Sequence, residues 1–592
     1  MRTILLSMLT GTCLLLTTAC STAPIPTMGP TPAPARTATA SRVPPRATRT
    51  IAVTPTPEPV PQVLRINLPA RPDMLDPQKA FSPGAIAVLQ LAYEGLTRLD
   101  ENGHVEPGAA DKWEFSGDGK SLTFHLRAGL VRADGTPLVA KDFEYAFKHA
   151  VDPRVASPNE SFLDDVHGAT AAYSLDPKAK AEEIQRALDG VGVKAVDDST
   201  LIVSFDQPTG YWPTIASMCI GWPPDKNKVE AEPDTWWTKA ENHNGNGPFR
   251  IAEITDQAIK LIPNPNYWGG RPRLDRIEFY WATDHAAALA SFRKGDLDIV
   301  RIGSEELAQV RADPVLSKEL VITPIPQVAY LGFNMKQAPF TDKNVRKAFS
   351  LALDRESLIH DVLKGGGKPF LSWIPPGNPG YDESAVVPGY DPAAAVQTLI
   401  DGGYGTPDKK KVDCNKLGVL KLSFSNTARD QSFFQSLAGD LMRVFACPVL
   451  LDPIDPGTYT IMIQDPRTAP QLFFITWQEE YAHPQDWLFL QTCTGVFAKR
   501  IGYCDKEFDN ALNAANEELD FDAAMLKYKA AQKILVTDLA QAFMWQSESA
   551  FLVKPYVVGL VQGAGMVWPG QSGPVLTYGI NTQGLGSGHP AQ

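Results

Sequence analysis

Residues 21–62 set the first limit on what this chain can fold into. The stretch STAPIPTMGPTPAPARTATASRVPPRATRTIAVTPTPEPVPQ offers almost nothing that a core could bury. Pro, Thr and Ala dominate it. Each proline fixes φ and removes a backbone donor, so neither a helix nor a central strand can run through it. It reads as an extended tether, reaching ~3.1 Å per residue in its polyproline form. Folding therefore starts near Val63, and whatever precedes the tether is held apart from the folded body.

What precedes it is MRTILLSMLTGTCLLLTTACS. Arg2 is a short positive region, and Ile4 to Leu16 is an apolar one. The apolar run is too short to cross ~30 Å of hydrocarbon, so it reads as a secretory signal. Leu16-Thr17-Thr18-Ala19-Cys20 resembles the lipobox of bacterial lipoproteins, with Thr17 where Leu is commonest. That resemblance implies cleavage before Cys20, a diacylglyceryl thioether on its sulfur, and anchoring on the outer side of the cell membrane by more than one acyl chain. Plain secretion is the alternative. No later segment has 18 uninterrupted apolar residues, so nothing else is expected to span a bilayer.

The body, residues 63–592, is too long for one core and is expected to divide into domains. Strand-like and helix-like segments alternate along it, which indicates an α/β or α+β class. VLRINLPA alternates as a strand. WEFSGDGKSLTFHLRAGL reads as a hairpin about Ser116–Gly119. VAKDFEYAFKHAVDP reads as a helix with Phe143, Ala146, Phe147 and Ala150 inward, and Asp342 as the N-cap of another helix that buries Val345, Ala348, Phe349 and Leu353. The formal charge of the chain is −12. Residues 1–62 carry five Arg and one Glu, which leaves −16 for the body. With no basic stripe, nucleic acid is not a partner class.

Export permits disulfides. Cys493 and Cys504 bracket a short loop, and Cys414 and Cys447 flank a predicted strand and helix, which makes each pair a candidate bridge. Cys219 is left over. No CxxC spacing suggests a zinc knuckle. Enzyme signatures are also missing. There is no GxSxG elbow and no HExxH pair. Gly365-Gly366-Gly367-Lys368 lacks the phosphate-loop spacing, and Pro369 stands where Ser or Thr would hold magnesium. No catalytic residue, metal site or cofactor is assigned. FITWQEEYAHPQDW places Glu479 and Glu480 among large aromatics. On a continuing strand their side chains would point to opposite faces, so at most one would look into a shared cleft.

Several segments in order resemble family 5 bacterial extracellular solute-binding proteins, the oligopeptide-binding lipoproteins of ABC importers. They are YEGLTRLDENGHVEPGAADKWEFSGDGKSLTFHLRAGL, GNGPFRI, NPNYWGGRP, FRKGDLDIV, YLGFNMKQAPFTDKNVRKAFSLALDR and WQEEYAHPQDW. The resemblance covers residue 63 to the C-terminus. It implies a periplasmic-binding-protein-like two-lobe α/β fold of type II, cluster C, with an extra small domain in the first lobe. The expected division is a signal over 1–19, a tether over 20–62, lobe 1 over 63–106 and 195–325, the small domain over 107–194, lobe 2 over 326–549, and a return to lobe 1 with a tail over 550–592. The implied protein is a monomeric receptor that encloses a solute between its lobes and docks on an ABC permease.

In peptide-binding relatives a W-x-x-D-Y segment supplies an acid that pairs with the peptide α-ammonium. The matching residues here are Trp477, Glu480 and Tyr481, with Glu in place of Asp. Some relatives place a basic residue for the peptide carboxylate three positions before that Trp, where this chain has Phe474. Arg429 is the candidate replacement. By the same analogy Asn334 and the backbone of Asn246 and Gly247 face the cleft, and Trp373 either lines the pocket or belongs to the core. The implied ligand is an oligopeptide or similar amine-bearing solute. The alternatives are an oligosaccharide receptor on the same fold and an extracellular hydrolase.

Overall fold

The computed structural model describes residues 60–560 and 575–581, except the side chains of Ala428, Arg429 and Val575. The signal segment, Cys20 and most of the tether lie outside those residues.

One long mixed sheet runs through the body, and two strands join its two halves. In the first half Val63–Leu68 pairs in parallel with Arg276–Trp281 and touches Ile299–Ile302 on its other edge. Ala258–Pro263 and Phe249–Ile254 extend this half antiparallel. Helix Pro83–Ala92 packs its buried side onto the sheet through Val88, Leu89 and Leu91. Ser82 caps that helix and Pro83 opens it, a preferred start because the first N–H needs no partner. In the second half Leu420–Ser425 lies parallel to Val449–Ile454 and beside Leu472–Gln478. Helices Lys343–Leu351 and Ala428–Phe445 cover one face, around Leu331, Phe333, Phe349 and Leu422. Asp342 caps the first of these by accepting from the Asn344 N–H.

The joining strands are Leu320–Phe333 and Gln541–Val553. Leu320–Pro324 pairs with Glu548–Leu552 in the first half, and Val328–Gly332 pairs with Gln541–Gln546 in the second. Between them the ladder breaks: Ile325, Pro326 and Gln327 stand opposite Ser547 alone. The sequence TPIPQ explains the break, because neither Pro324 nor Pro326 has an N–H to give to a ladder. Side chains bridge the gap instead. Ser547 Oγ donates to Gln327 Oε1 at 2.8 Å, and Gln546 Nε2 donates to the Ile325 carbonyl at 3.3 Å.

A separate antiparallel sheet of four strands, in the order Ala110–Phe115, Ser121–Leu126, Thr200–Ser204, Val193–Ala195, builds the small domain on the first lobe. Helix Ala140–Ala150 packs on it through Phe143 and Phe147, with Trp212 and Phe124 in the same core. Cys414 is bonded to Cys447 and Cys493 to Cys504, at Cα separations of 5.4 and 4.4 Å, while Cys219 is free and buried. No helix among the described residues is long and apolar enough to cross a membrane.

Candidate functional site

Where the halves face each other lies a cavity of about 560 Å³. This falls within the usual range for small-ligand pockets, ~300–1,000 Å³. The first lobe contributes Phe81, Ile86, Leu99, Phe162, Met218 and Trp222. The second contributes the end of strand Leu472–Gln478 and the turn after it, from Thr476 to Ala482. The walls are apolar and aromatic, but Asp100, Glu101, Glu479 and Glu480 also line them, with no Lys or Arg among the described lining residues.

The turn is built around carboxyl groups. Ladder pairing ends at Gln478, opposite Gln327. Strand alternation therefore does not separate Glu479 from Glu480, and both line the cavity, contrary to the one-face expectation. The Glu479 carboxyl is half-buried and accepts the Trp487 indole N–H at 2.8 Å. Burial pushes it up to about 8, only partly offset by that hydrogen bond. The Asp486 side chain is fully buried on the short helix Pro484–Leu488, and its Oδ2 accepts the Glu480 backbone N–H at 3.2 Å. Burial, with the charges of Glu479 and Glu480 beside it, raises Asp486 far above the ordinary carboxylate range. Glu480 is the exposed member of the three. Its carboxyl makes no hydrogen bond or ion pair with any described residue, and burial of its surroundings raises its pKa. Among the described residues no group of three or more His, Cys, Asp or Glu is placed to hold a metal ion.

Trp477 and Tyr481 flank this acid on the same wall. The Trp477 ring meets Phe497 edge-on at 5.3 Å. Tyr481 donates to Gln485 and meets Phe162 of the small domain edge-on at 5.8 Å, so it closes one end of the cavity across both lobes. Trp477, Glu480 and Tyr481 are thus brought together.

The other expected residues lie elsewhere. Asn334 is fully buried and spends its amide on the Pro466 and Ala469 carbonyls, at 2.8 and 2.9 Å, closing a strand end rather than facing the cleft. The Asn246 side chain is consumed by the backbone of Glu94, at 3.0 and 2.9 Å. Gly247 donates to the Ala92 carbonyl and accepts from Asn264. A Cβ there would stand 2.6 Å from the Ala92 carbonyl carbon, so the GNG segment serves close packing on a helix end, not ligand contact. Trp373 is core: it is fully buried, its indole donates to the Trp487 carbonyl, and its ring meets Tyr330 at 5.1 Å. Phe474 does not line the cavity. It stacks on Trp545 at 5.5 Å and packs against Phe433 at 5.2 Å. The Arg429 side chain lies outside the described ones. Sequence reasoning missed Glu479 and Asp486, although the acids crowded between Trp477 and Trp487 were a visible signal. It also missed Phe81, Phe162, Met218 and Trp222, which reach the site from the other lobe.

The family model "Bacterial extracellular solute-binding proteins, family 5 Middle" matches residues 104–485. The probable deoxycholate-binding periplasmic protein YgiS of Escherichia coli K12 is 28% identical over 511 residues, covering 84% of this chain and 90% of the relative. The dipeptide-binding protein DppE of Bacillus subtilis 168 is 26% identical over 512 residues, covering 85% and 90%. Among solved structures, the unliganded open form of the periplasmic murein tripeptide-binding protein MppA matches with a TM-score of 0.75 at 26% identity, over 88% of this chain and 97% of that one. A second structure of MppA, from Escherichia coli, gives 0.63 at 26% identity, over 88% and 98%. With two α/β lobes, a small antiparallel domain, a cleft between the lobes and these matches, the chain belongs to family 5 of the bacterial extracellular solute-binding proteins.

Proposed function

We propose that the protein is the substrate receptor of an ABC importer and that it captures an oligopeptide or a similar amine-bearing solute between its lobes. The observation that carries this is the Glu480 carboxyl: without a partner among the described residues, open to a largely apolar cavity with no described Lys or Arg, and backed by the half-buried Glu479 and the buried Asp486. A protonated amine there would gain a charge-assisted hydrogen bond to the Glu480 carboxylate. Trp477 and Tyr481 would supply apolar contact beside it. The same acids argue against a carboxylate seated at this end, as an anionic amphiphile would require. Capture by closure is supported by the place of the cavity between two lobes that a pair of neighbouring strands joins. The protein acts alone as a monomer, binds without turning its ligand over, and is held outside the cell membrane by lipid on Cys20.

Isothermal titration with peptides of two to five residues tests the site. Binding is expected, with Glu480→Ala weakening it by more than about tenfold, the scale of one lost charged hydrogen bond. N-acetylated peptides that bind as well as free ones would sink the amine clasp. The anchor is tested by Cys20→Ala, which is expected to move the protein from the membrane to the soluble fraction.

A further inference from the structure

A second cavity, of about 550 Å³, meets the first along Pro83, Gln327 and Gln478, at the break in the joining ladder. Its charged lining is different: Arg71, Asp73 and Arg301. Asp73 accepts from Ser82 Oγ at 2.9 Å, and Arg71 pairs at 3.0 Å with the exposed Asp256. Arg301 is the exception. It stands on the strand Ile299–Ile302, opposite Phe551, and its guanidinium makes no hydrogen bond or ion pair with any described residue.

The contrast with other buried arginines is sharp. Arg65 lies between Glu278 and Asp298. Arg132 reaches the carbonyls of Pro223, Pro224 and Asn244 and pairs with Asp142. Arg346 and Arg355 are saturated by backbone carbonyls, among them Leu539 and Phe543. Among the described residues only Arg301 combines a mostly desolvated side chain with an open cavity and no partner. Burial lowers its pKa, and no neighbouring charge offsets this. A guanidinium kept in that setting is costly unless an anion completes it, and its planar fork fits a carboxylate.

We infer that Arg301 receives a carboxylate at the far end of the ligand, so that Glu480 and Arg301 seat the two charged ends of one zwitterion across the joining strands. This rests on the receptor reading above. It also accounts for Phe474: the cation stands on the first lobe beside the joining strands instead of on the second-lobe strand. The carboxylate can be a peptide C-terminus or an acidic side chain near it.

Alanine peptides of two to five residues separate these sources when titrated as free acids, as C-terminal amides, and as amides ending in Glu. The wild-type protein is expected to prefer one free acid over its amide by roughly tenfold or more. Arg301→Gln is expected to bring that preference near one, and Arg301→Lys to keep part of it, with circular dichroism confirming that both variants fold. Recovery of binding by the Glu-ended amide assigns the side-chain source and supports the seat equally. A wild-type protein indifferent to amidation, or a preference undiminished in Arg301→Gln, overturns the assignment while leaving the receptor reading intact. Failure of the wild-type protein to bind any peptide overturns both.

Discussion

Glu479→Gln isolates the physical effect that shapes the acidic turn. In the folded protein burial raises the Glu479 carboxyl from its ordinary 4.5 to about 8. In the unfolded chain it titrates near 4.5. Between those values the folded state holds a proton that the unfolded state has released. Stability is therefore complete below about pH 4.5 and is lost as pH rises, by about 1.4 kcal/mol per unit. From pH 5 to pH 8 the loss is about 4 kcal/mol. The glutamine cannot ionise, yet its amide oxygen can still accept the Trp487 N–H that Glu479 accepts at 2.8 Å. The variant should match the wild-type protein within about 1 kcal/mol at pH 5 and exceed it by several kcal/mol at pH 8. Removing the Glu479 charge also relaxes Asp486, whose pKa it helps to raise, and that acts in the same direction. The assay is urea unfolding at both pH values, followed by tryptophan fluorescence. Parallel pH dependences for the two proteins would refute the reasoning, because Glu479 would then be ionised at no cost in the folded state.

Asn334→Ala strips the Pro466 and Ala469 carbonyls of their donor, so stability should fall by about 2 kcal/mol or more while ligand affinity stays within twofold. Tenfold weaker binding at unchanged stability would return Asn334 to the cleft. The Cys414–Cys447 bridge spans 33 residues and the Cys493–Cys504 bridge spans 11, so replacing each pair by serine should cost about 4 and about 3 kcal/mol respectively. Equal melting temperatures for the serine variants and the wild-type protein would count against both bridges.

Local signals in the sequence carried the elements well. The hairpin about Ser116–Gly119 is present as Ala110–Phe115 and Ser121–Leu126, and the inward stripe of Phe143, Ala146, Phe147 and Ala150 is buried as read. In the site, legibility followed distance along the chain. Trp477, Glu480 and Tyr481 sit within one turn, so a motif could group them. Asn334 shows the limit. Whether its amide is free depends on partners such as Pro466 and Ala469, more than 100 residues away, which no local pattern shows. Trp373 lies among rings from Tyr330, Trp487 and Phe543, none of them its neighbour in sequence. Arg301 left a trace, a lone cation within DLDIVRIG, but its lack of a partner is visible only when the opposing strands are in place.

The broken ladder has a mechanical consequence. Both connections between the lobes are neighbouring strands, so any swing of one lobe on the other would pivot on a line through Gln327 and Ser547, already tied at 2.8 Å. Atoms on such an axle travel least. Gln327 borders both cavities and would touch a ligand alike at every angle. Glu480 and Arg301 stand on opposite sides of the axle, like the jaws of a caliper. The span of the ligand would then set how far the jaws shut, and a permease that senses the angle between the lobes would in effect be measuring length.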